Sequence, residues 1–218
     1  MSPETEPART QLDCEAWLDA AERVIAEGGF SKARVLPLAK KLGVTRGSFY
    51  WHFESHPAFI LQIIERWKQR QLEELATWDG DTSDPVRTLE SIVDFVATRL
   101  WLDARRNKVE TALRDFAGGN KIAAKTMAEV DAARTKIFYR LLLALTGSKD
   151  EAESYALLFY AQLTGGQLMS IYATPSHLPG LIAKLKRAIY ASLSRLEDTI
   201  HADDSAGKVR SRKVIAGG

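Results

Sequence analysis

The sequence has little of three features that define other classes of protein. It has one cysteine, Cys14, so no intrachain disulfide can form and a disulfide-built secreted domain is excluded. It has no run of about 18 apolar residues, which a membrane-spanning helix needs, and its N-terminus lacks the apolar segment of a secretory signal. With 45% hydrophobic and 27% charged residues, we expect a soluble globular protein that remains in the cytoplasm.

The chain also has little net charge, but that charge is unevenly distributed. Residues 31–56 include five basic residues and one acidic residue, a net charge of +4 within a chain of net charge +2. The rest of the chain has 25 basic and 27 acidic residues. A positive charge concentrated in one short segment is typical of a surface that meets a polyanion.

Alternating strand patterns are missing as well, and helical periodicity dominates. Apolar residues recur at i, i+3, i+4 and i+7 between short stops that contain Gly, Pro or Ser. The pattern predicts an all-α fold of about nine helices. The clearest predicted segments are 12–27, 34–42, 45–53, 56–78, 85–117, 121–145, 148–173 and 181–200.

Two short predicted helices on either side of Gly43 have the proportions of a helix-turn-helix. Glycine at this position permits the sharp reversal between them. On the second helix, Phe49 and Phe53 are one turn apart and are predicted to face the core. The opposite side then presents Gly47 and Trp51 to the outside.

The outward side of this second helix has the side chains that a reader of the major groove needs. Arg46 can form paired hydrogen bonds with guanine, Ser48 can bond several base edges, and Gly47 permits close approach of the backbone. Tyr50 and the neighbouring Trp51 and His52 can reach phosphates or a thymine methyl, and Thr45 can donate to phosphate. A single aromatic residue is more often part of a core, so this prediction depends on the helical periodicity.

The stretch from Gly29-Phe30 through Leu-Gly-Val-Thr-Arg-Gly-Ser-Phe-Tyr-Trp-His-Phe, which ends at Phe53, closely resembles the N-terminal domain of TetR-family regulators. The resemblance covers about residues 12–67. It implies that Arg46, Gly47, Ser48 and Tyr50 meet bases and that Thr45, Trp51 and His52 meet the DNA backbone. Ala33-Arg34 stands where the family usually has two threonines, and His56 stands where it usually has a lysine. We include Arg34 and His56 among the expected DNA contacts.

The resemblance also implies a domain organisation. Residues 11–56 are expected to form the DNA-binding domain and residues 57–201 a helical domain for effector binding and dimerisation. The flanking segments, 1–10 and the basic 202–218, are expected to be disordered tails. The implied protein is a homodimer that binds a DNA operator and a small-molecule effector, with no cofactor or metal, and repression is the family's usual mode.

The C-terminal body contains two weaker sets of candidate residues. Gly165-Gly166 within an apolar helix indicates either close packing at a dimer interface or a polar part of the effector pocket, and we favour packing because helical glycines otherwise cost about 1 kcal/mol each. The expected dimer residues are Gly165, Gly166, Leu185, Ile189 and Leu193. The expected effector-pocket residues are Trp67, Trp101, Phe116, Phe159 and Gln162.

Two other classes of function remain as alternatives. An all-α enzyme is disfavoured because His52 and His56 are separated by a predicted helix break, and no further spaced ligand completes a metal site with them. No nucleophile elbow or phosphate loop is present either. A helical interaction scaffold that has lost DNA binding is the other alternative, based on the departures at Arg34 and His56.

Overall fold

The computed structural model describes residues 13–78, 82–170, 172, 174, 176–177, 179–184, 186–192 and 194–196. Within these residues the regular structure is entirely helical, which confirms the predicted all-α fold. The α-helices are α1 (Cys14–Gly28), α2 (Val35–Leu42), α3 (Arg46–His52), α4 (His56–Ala76), α5 (Pro85–Leu102), α6 (Ala104–Ala117), α7 (Lys121–Thr146) and α8 (Lys149–Ser170). A short 3-10 helix spans Phe30–Lys32, and α9 comprises the helical residues 179–184, 186–192 and 194–196. None of the helices in this part of the chain is long and apolar enough to span a membrane.

The helix boundaries follow local capping chemistry. Gly43 ends α2 in the left-handed conformation, with a φ of 69°, as glycine readily does. Asp84 caps α5, since its carboxylate accepts a hydrogen bond of 3.0 Å from the amide of Arg87. Both ends lie where the sequence pattern predicts them.

The start of α8 has half of a Ser-x-x-Glu capping box. The Ser148 hydroxyl accepts from the amide of Glu151 at 3.4 Å. The amide of Ser148, however, donates to the Thr146 hydroxyl at 3.2 Å. Thr146 thus takes the role that the Glu151 side chain has in a complete capping box.

The prediction of one helix over residues 85–117 is wrong. The chain interrupts it at Asp103, between α5 and α6. The Asp103 carboxylate accepts from the amide of Arg106 at 3.1 Å, which is N-cap geometry. A single capping acid causes this break, without the glycine or proline that marks other breaks.

The described chain separates into two compact units. Of the described residues, the first unit contains those within 13–69 and 108–126, and the second contains those within 70–107 and 127–196. The boundary between these units falls within α4. The two predicted tails, 1–10 and 202–218, lie outside the described residues.

Aromatic rings form the core of the first unit around α3. Trp17 of α1 and Phe49 of α3 are both fully buried, with ring centroids 5.3 Å apart in an edge-to-face arrangement. Phe53 and Phe59 also contact Phe49, with centroids at 5.0 and 5.2 Å. This cluster fixes the rotation of α3 about its own axis.

A single arginine joins α4 to α1 in the same unit. Arg66 lies 3.3 Å from Glu15, 2.5 Å from Asp19 and 3.6 Å from Glu22. These three carboxylates lie at spacings of four and three residues, on one face of α1. The arginine side chain is mostly buried, so its pairing is screened less than that of a surface pair.

The second unit has its own apolar core. Its fully buried side chains come from α5, α7, α8 and α9, and they include Leu89, Leu142, Phe159 and Ile189. At the surface of this unit, Asp94 of α5 accepts hydrogen bonds from Lys186 and Tyr190 of α9 at 2.6 and 2.5 Å. These two bonds, with that from Lys186 the stronger, lower the pKa of Asp94, while burial and the Asp94 contact raise the pKa of Tyr190.

Candidate nucleic-acid interface

The second helix of the helix-turn-helix is α3, and its inner side is fixed by the aromatic cluster around Phe49. Thr45 caps its N-terminus, where the Thr45 hydroxyl oxygen accepts from the amide of Ser48 at 3.3 Å. Because the cap uses only the acceptor capacity of that hydroxyl, its proton remains available to a phosphate oxygen. The helix therefore presents a defined N-terminal end and one free face.

The free face is exposed, as the sequence predicted from the positions of Phe49 and Phe53. Trp51 is 80% exposed, and Arg46, Gly47 and Tyr50 are also exposed. A methyl group added at Gly47 would meet only the Thr45 hydroxyl oxygen, at an ordinary 3.6 Å. The fold itself therefore does not require glycine at position 47.

Two of the exposed side chains contact each other along α3. Nη2 of Arg46 donates to the hydroxyl oxygen of Tyr50 at 3.2 Å. The guanidinium carbon lies 5.7 Å from the centre of the Tyr50 ring, within the range of a cation–π interaction. The Arg46 guanidinium, at the start of α3, is thus held over the Tyr50 ring, one helical turn further along.

The other predicted contacts on this surface occupy less prominent positions. Ser48 and His52 are half-buried on α3. Arg34 is exposed at the start of α2, and its Nε donates to the carbonyl of Ser31 at 3.1 Å. Lys40 and Lys41 are exposed in the last turn of α2 and add positive charge.

His56, which is predicted as a phosphate contact, makes a hydrogen bond within the protein. Its Nε2 lies 2.7 Å from the carbonyl oxygen of Ala33, in a partly buried position. A carbonyl only accepts, so Nε2 donates in this bond and is not free to bind a phosphate. His56 therefore ties the start of α4 to the segment before α2.

The residues predicted for a dimer interface fall into three groups. Gly165 and Gly166 are half-buried on α8, and a methyl group added at Gly165 would meet nothing within 4 Å. Ile189 is fully buried in the core of the second unit, so its prediction as an interface residue is corrected. Leu185 and Leu193 lie outside the described residues.

α8 also has a row of exposed apolar side chains that the sequence pattern did not predict. Leu157, Leu158, Leu168 and Met169 are exposed by 64%, 47%, 44% and 51%. Their spacings of one, ten and one residues place them on one side of the helix, and Gly165 is on the same side. The signal is present in the sequence, because α8 has apolar residues on both sides, but periodicity alone assigns all of them to a core.

Three of the five residues predicted for an effector pocket are packed within the described part of the chain. Phe159 is a buried core residue of the second unit, and Trp67 is buried in the first. Phe116 stacks on Phe30 in the first unit, with centroids 4.5 Å apart and planes 9° apart. The Trp101 side chain lies outside the described part. Packing thus accounts for Trp67, Phe116 and Phe159.

Gln162 differs from these three. Its side-chain oxygen is buried, and no described residue gives it a hydrogen-bond partner. An open groove of about 950 Å³ also lies in the second unit, between α5 and α9. It is lined by Ala97, Thr98, Pro179, Ile182, Ala183, Lys186, Arg187, Tyr190, Ala191 and Ser194.

Comparison with known proteins gives a family for the N-terminal segment. Residues 18–63 match the family model of bacterial regulatory proteins, tetR family. The transcriptional regulator TtgR of Pseudomonas putida is 27% identical over 112 residues, which is 50% of this chain and 50% of TtgR. The chain thus matches about half the length of this curated relative.

The similarity of fold extends further along the chain. A transcriptional regulator from Rhodococcus sp. Rha1 has a TM-score of 0.65 at 23% identity, over 83% of this chain and 97% of that one. FadR of Bacillus subtilis, solved in complex with stearoyl-CoA, has a TM-score of 0.55 at 18% identity, over 78% of this chain and 96% of that one. The chain thus contains, at residues 18–63, the segment that the family model of bacterial regulatory proteins, tetR family, describes, and it shares the fold of these two solved structures.

Proposed function

We propose that this protein is a homodimeric transcriptional regulator that binds a palindromic DNA operator and is released from it by a small-molecule effector. In this proposal it is a repressor, acts in the cytoplasm and is not an enzyme. Double-stranded DNA is bound by the exposed face of α3, and the second unit supplies the dimer contact and the effector site.

The observation that carries this proposal is the division of α3 into two faces. One face is locked into an aromatic core through Phe49, and the other exposes Arg46, Gly47 and Trp51. Exposure of a tryptophan ring to water is unfavourable, and burial of the ring against a partner lowers the free energy. A rigid helix that presents an arginine, a glycine without a side chain and an aromatic ring on one side fits the major groove of B-DNA.

The exposed row on α8 supports a dimer. We propose that a second copy of the chain covers Leu157, Leu158, Leu168 and Met169, because exposed apolar side chains grouped on one side of a helix are unfavourable in water. Gly165 lies in the same row with open space beside it, which permits close approach of a partner helix. Two recognition helices about 34–36 Å apart would then read both half-sites of a palindrome.

An effector would act on this dimer by shifting its populations. The effector would bind more tightly to dimers in which the spacing of the two recognition helices does not match successive major grooves. It would therefore increase the population of those dimers and lower the affinity for the operator. FadR, whose fold this chain shares, was solved with stearoyl-CoA. The buried and unpartnered oxygen of Gln162 is the polar group that we propose for effector contact in this chain.

Selection of bound duplexes from random DNA tests the proposed function. The wild-type protein is expected to enrich an inverted repeat, and its affinity should fall steeply with salt because phosphate contacts release counterions. The control is Arg46→Ala, in which an exposed side chain is removed and the fold is retained. Enrichment of no sequence by the wild-type protein, at low and at physiological salt, would contradict the proposal.

A further inference from the structure

The contact between Arg46 and Tyr50 begins a chain of packed groups that leads from the surface of α3 to its core. The Tyr50 ring lies edge-on to Phe49, with centroids 5.2 Å apart and planes at 89°. Phe49 in turn is fully buried against Trp17. Tyr50 is therefore a fixed support, although about half of its own surface is exposed.

Arg46 needs such a support in order to read a base. A freely moving arginine side chain loses much rotamer entropy when it binds a base, and this entropy cost weakens the contact. Its guanidinium has five N–H donors, and the Tyr50 hydroxyl takes one of them. Four donors remain, enough for the paired bonds to O6 and N7 of guanine.

We propose that Tyr50 is a positioning residue that holds Arg46 ready to read one guanine in each operator half-site. The hydroxyl oxygen accepts from Arg46 while its own proton is free for a neighbouring phosphate, so one residue links a backbone contact to a base contact. Hydrogen bonds in series polarise one another and strengthen both contacts. This inference rests on the proposed DNA-binding function.

The matched variant is Tyr50→Phe, which keeps the ring and its contact with Phe49 but removes the hydroxyl. The probes are the duplex enriched by the wild-type protein and single-pair variants of it in which each G·C pair is replaced by A·T. We expect Tyr50→Phe to reduce the preference for G·C at one position per half-site by about threefold to tenfold. Arg46→Ala is expected to remove that preference, by about tenfold or more.

The double variant distinguishes positioning from an independent contact. If Tyr50 acts through Arg46, Tyr50→Phe has no further effect on that G·C preference once Arg46 is alanine. Tyr155→Phe, which removes a hydroxyl in the second unit, is the control and should leave the preference unchanged.

Two outcomes would overturn the inference while leaving the proposed function intact. One is an equal loss of affinity for every duplex in Tyr50→Phe, which would make Tyr50 a phosphate contact only. The other is independent, multiplicative effects of the two substitutions on the G·C preference. A wild-type protein that enriches no duplex would instead defeat the proposed function, and this inference with it.

Discussion

Phe49 and Trp51 lie two residues apart on α3 and have opposite environments: Phe49 is fully buried, and Trp51 is 80% exposed. On a helix of 3.6 residues per turn, two positions differ by about 200°, so one side chain anchors the helix while the other extends into solvent. The buried face of this short helix therefore contributes to stability, and its exposed face is available for recognition.

Substitution of these two residues should separate stability from DNA binding. Phe49→Ala should lower the free energy of unfolding by about 3–5 kcal/mol, because it leaves a cavity in the aromatic core. Trp51→Ala should change it by less than about 0.5 kcal/mol, since the ring is exposed, while weakening the binding of DNA. Urea denaturation and a binding titration measure the two effects. A large loss of stability in Trp51→Ala would place that ring in the core.

Gly47→Ala should stabilise the fold and weaken DNA binding. Alanine is favoured over glycine in a helix, by about 0.8–1 kcal/mol in the interior and by less in the first turn, where Gly47 lies, and an added methyl group meets no obstacle within the protein. The same methyl group would lie between α3 and the bases, so we expect the dissociation constant for the operator to rise by about tenfold or more. Thermal denaturation and titration of the same preparation check both signs. Unchanged affinity would mean that the backbone at Gly47 does not approach DNA.

The row on α8 predicts a monomer when one of its leucines is charged. Leu157→Glu should disrupt the dimer, because a carboxylate buried between two copies has no partner. Loss of two-site binding should then lower operator affinity by about a hundredfold. Sedimentation measures the oligomeric state. The matched control is Leu61→Glu, at an exposed leucine of α4 in the first unit. Dissociation in the control but not in Leu157→Glu would refute the interface.

The contact of Asp94 with Lys186 and Tyr190 predicts a pH-dependent contribution to stability. Because the folded state lowers the pKa of Asp94 below its ordinary value of 3.8, the stabilisation is complete at neutral pH and is lost as the pH falls through the folded pKa. Asp94→Asn should therefore lower the urea midpoint at pH 7, and the two proteins should converge as the pH falls below the lowered pKa of Asp94. Glu153→Gln controls for loss of one exposed charge. A difference in urea midpoint between Asp94→Asn and the wild type that grows on acidification would contradict this prediction.

The sequence predicted those features that depend on repeated or local patterns. Helical periodicity placed Phe49 inside and Trp51 outside, and the glycine at position 43 marked the turn between α2 and α3. These features follow from the identity and spacing of neighbouring residues.

Features set by long-range or competing contacts were not predictable in this way. His56 bonds the carbonyl of Ala33, 23 residues away, and no local pattern indicates such a partner. The break at Asp103 depends on one capping carboxylate within a continuing apolar periodicity. Ile189 and Leu157 are both apolar residues on helices, and only packing distinguishes the buried one from the exposed one.

The most direct test of the central claim is methylation interference on the duplex that the wild-type protein selects. Methylation of guanine N7 places a methyl group in the major groove, where the exposed face of α3 is expected to lie. We predict that such methyl groups block binding within both half-sites, at positions about one helical turn apart or a multiple of it. Binding that is unaffected by every N7 methyl group, or blocked only by changes in the minor groove, would contradict the account.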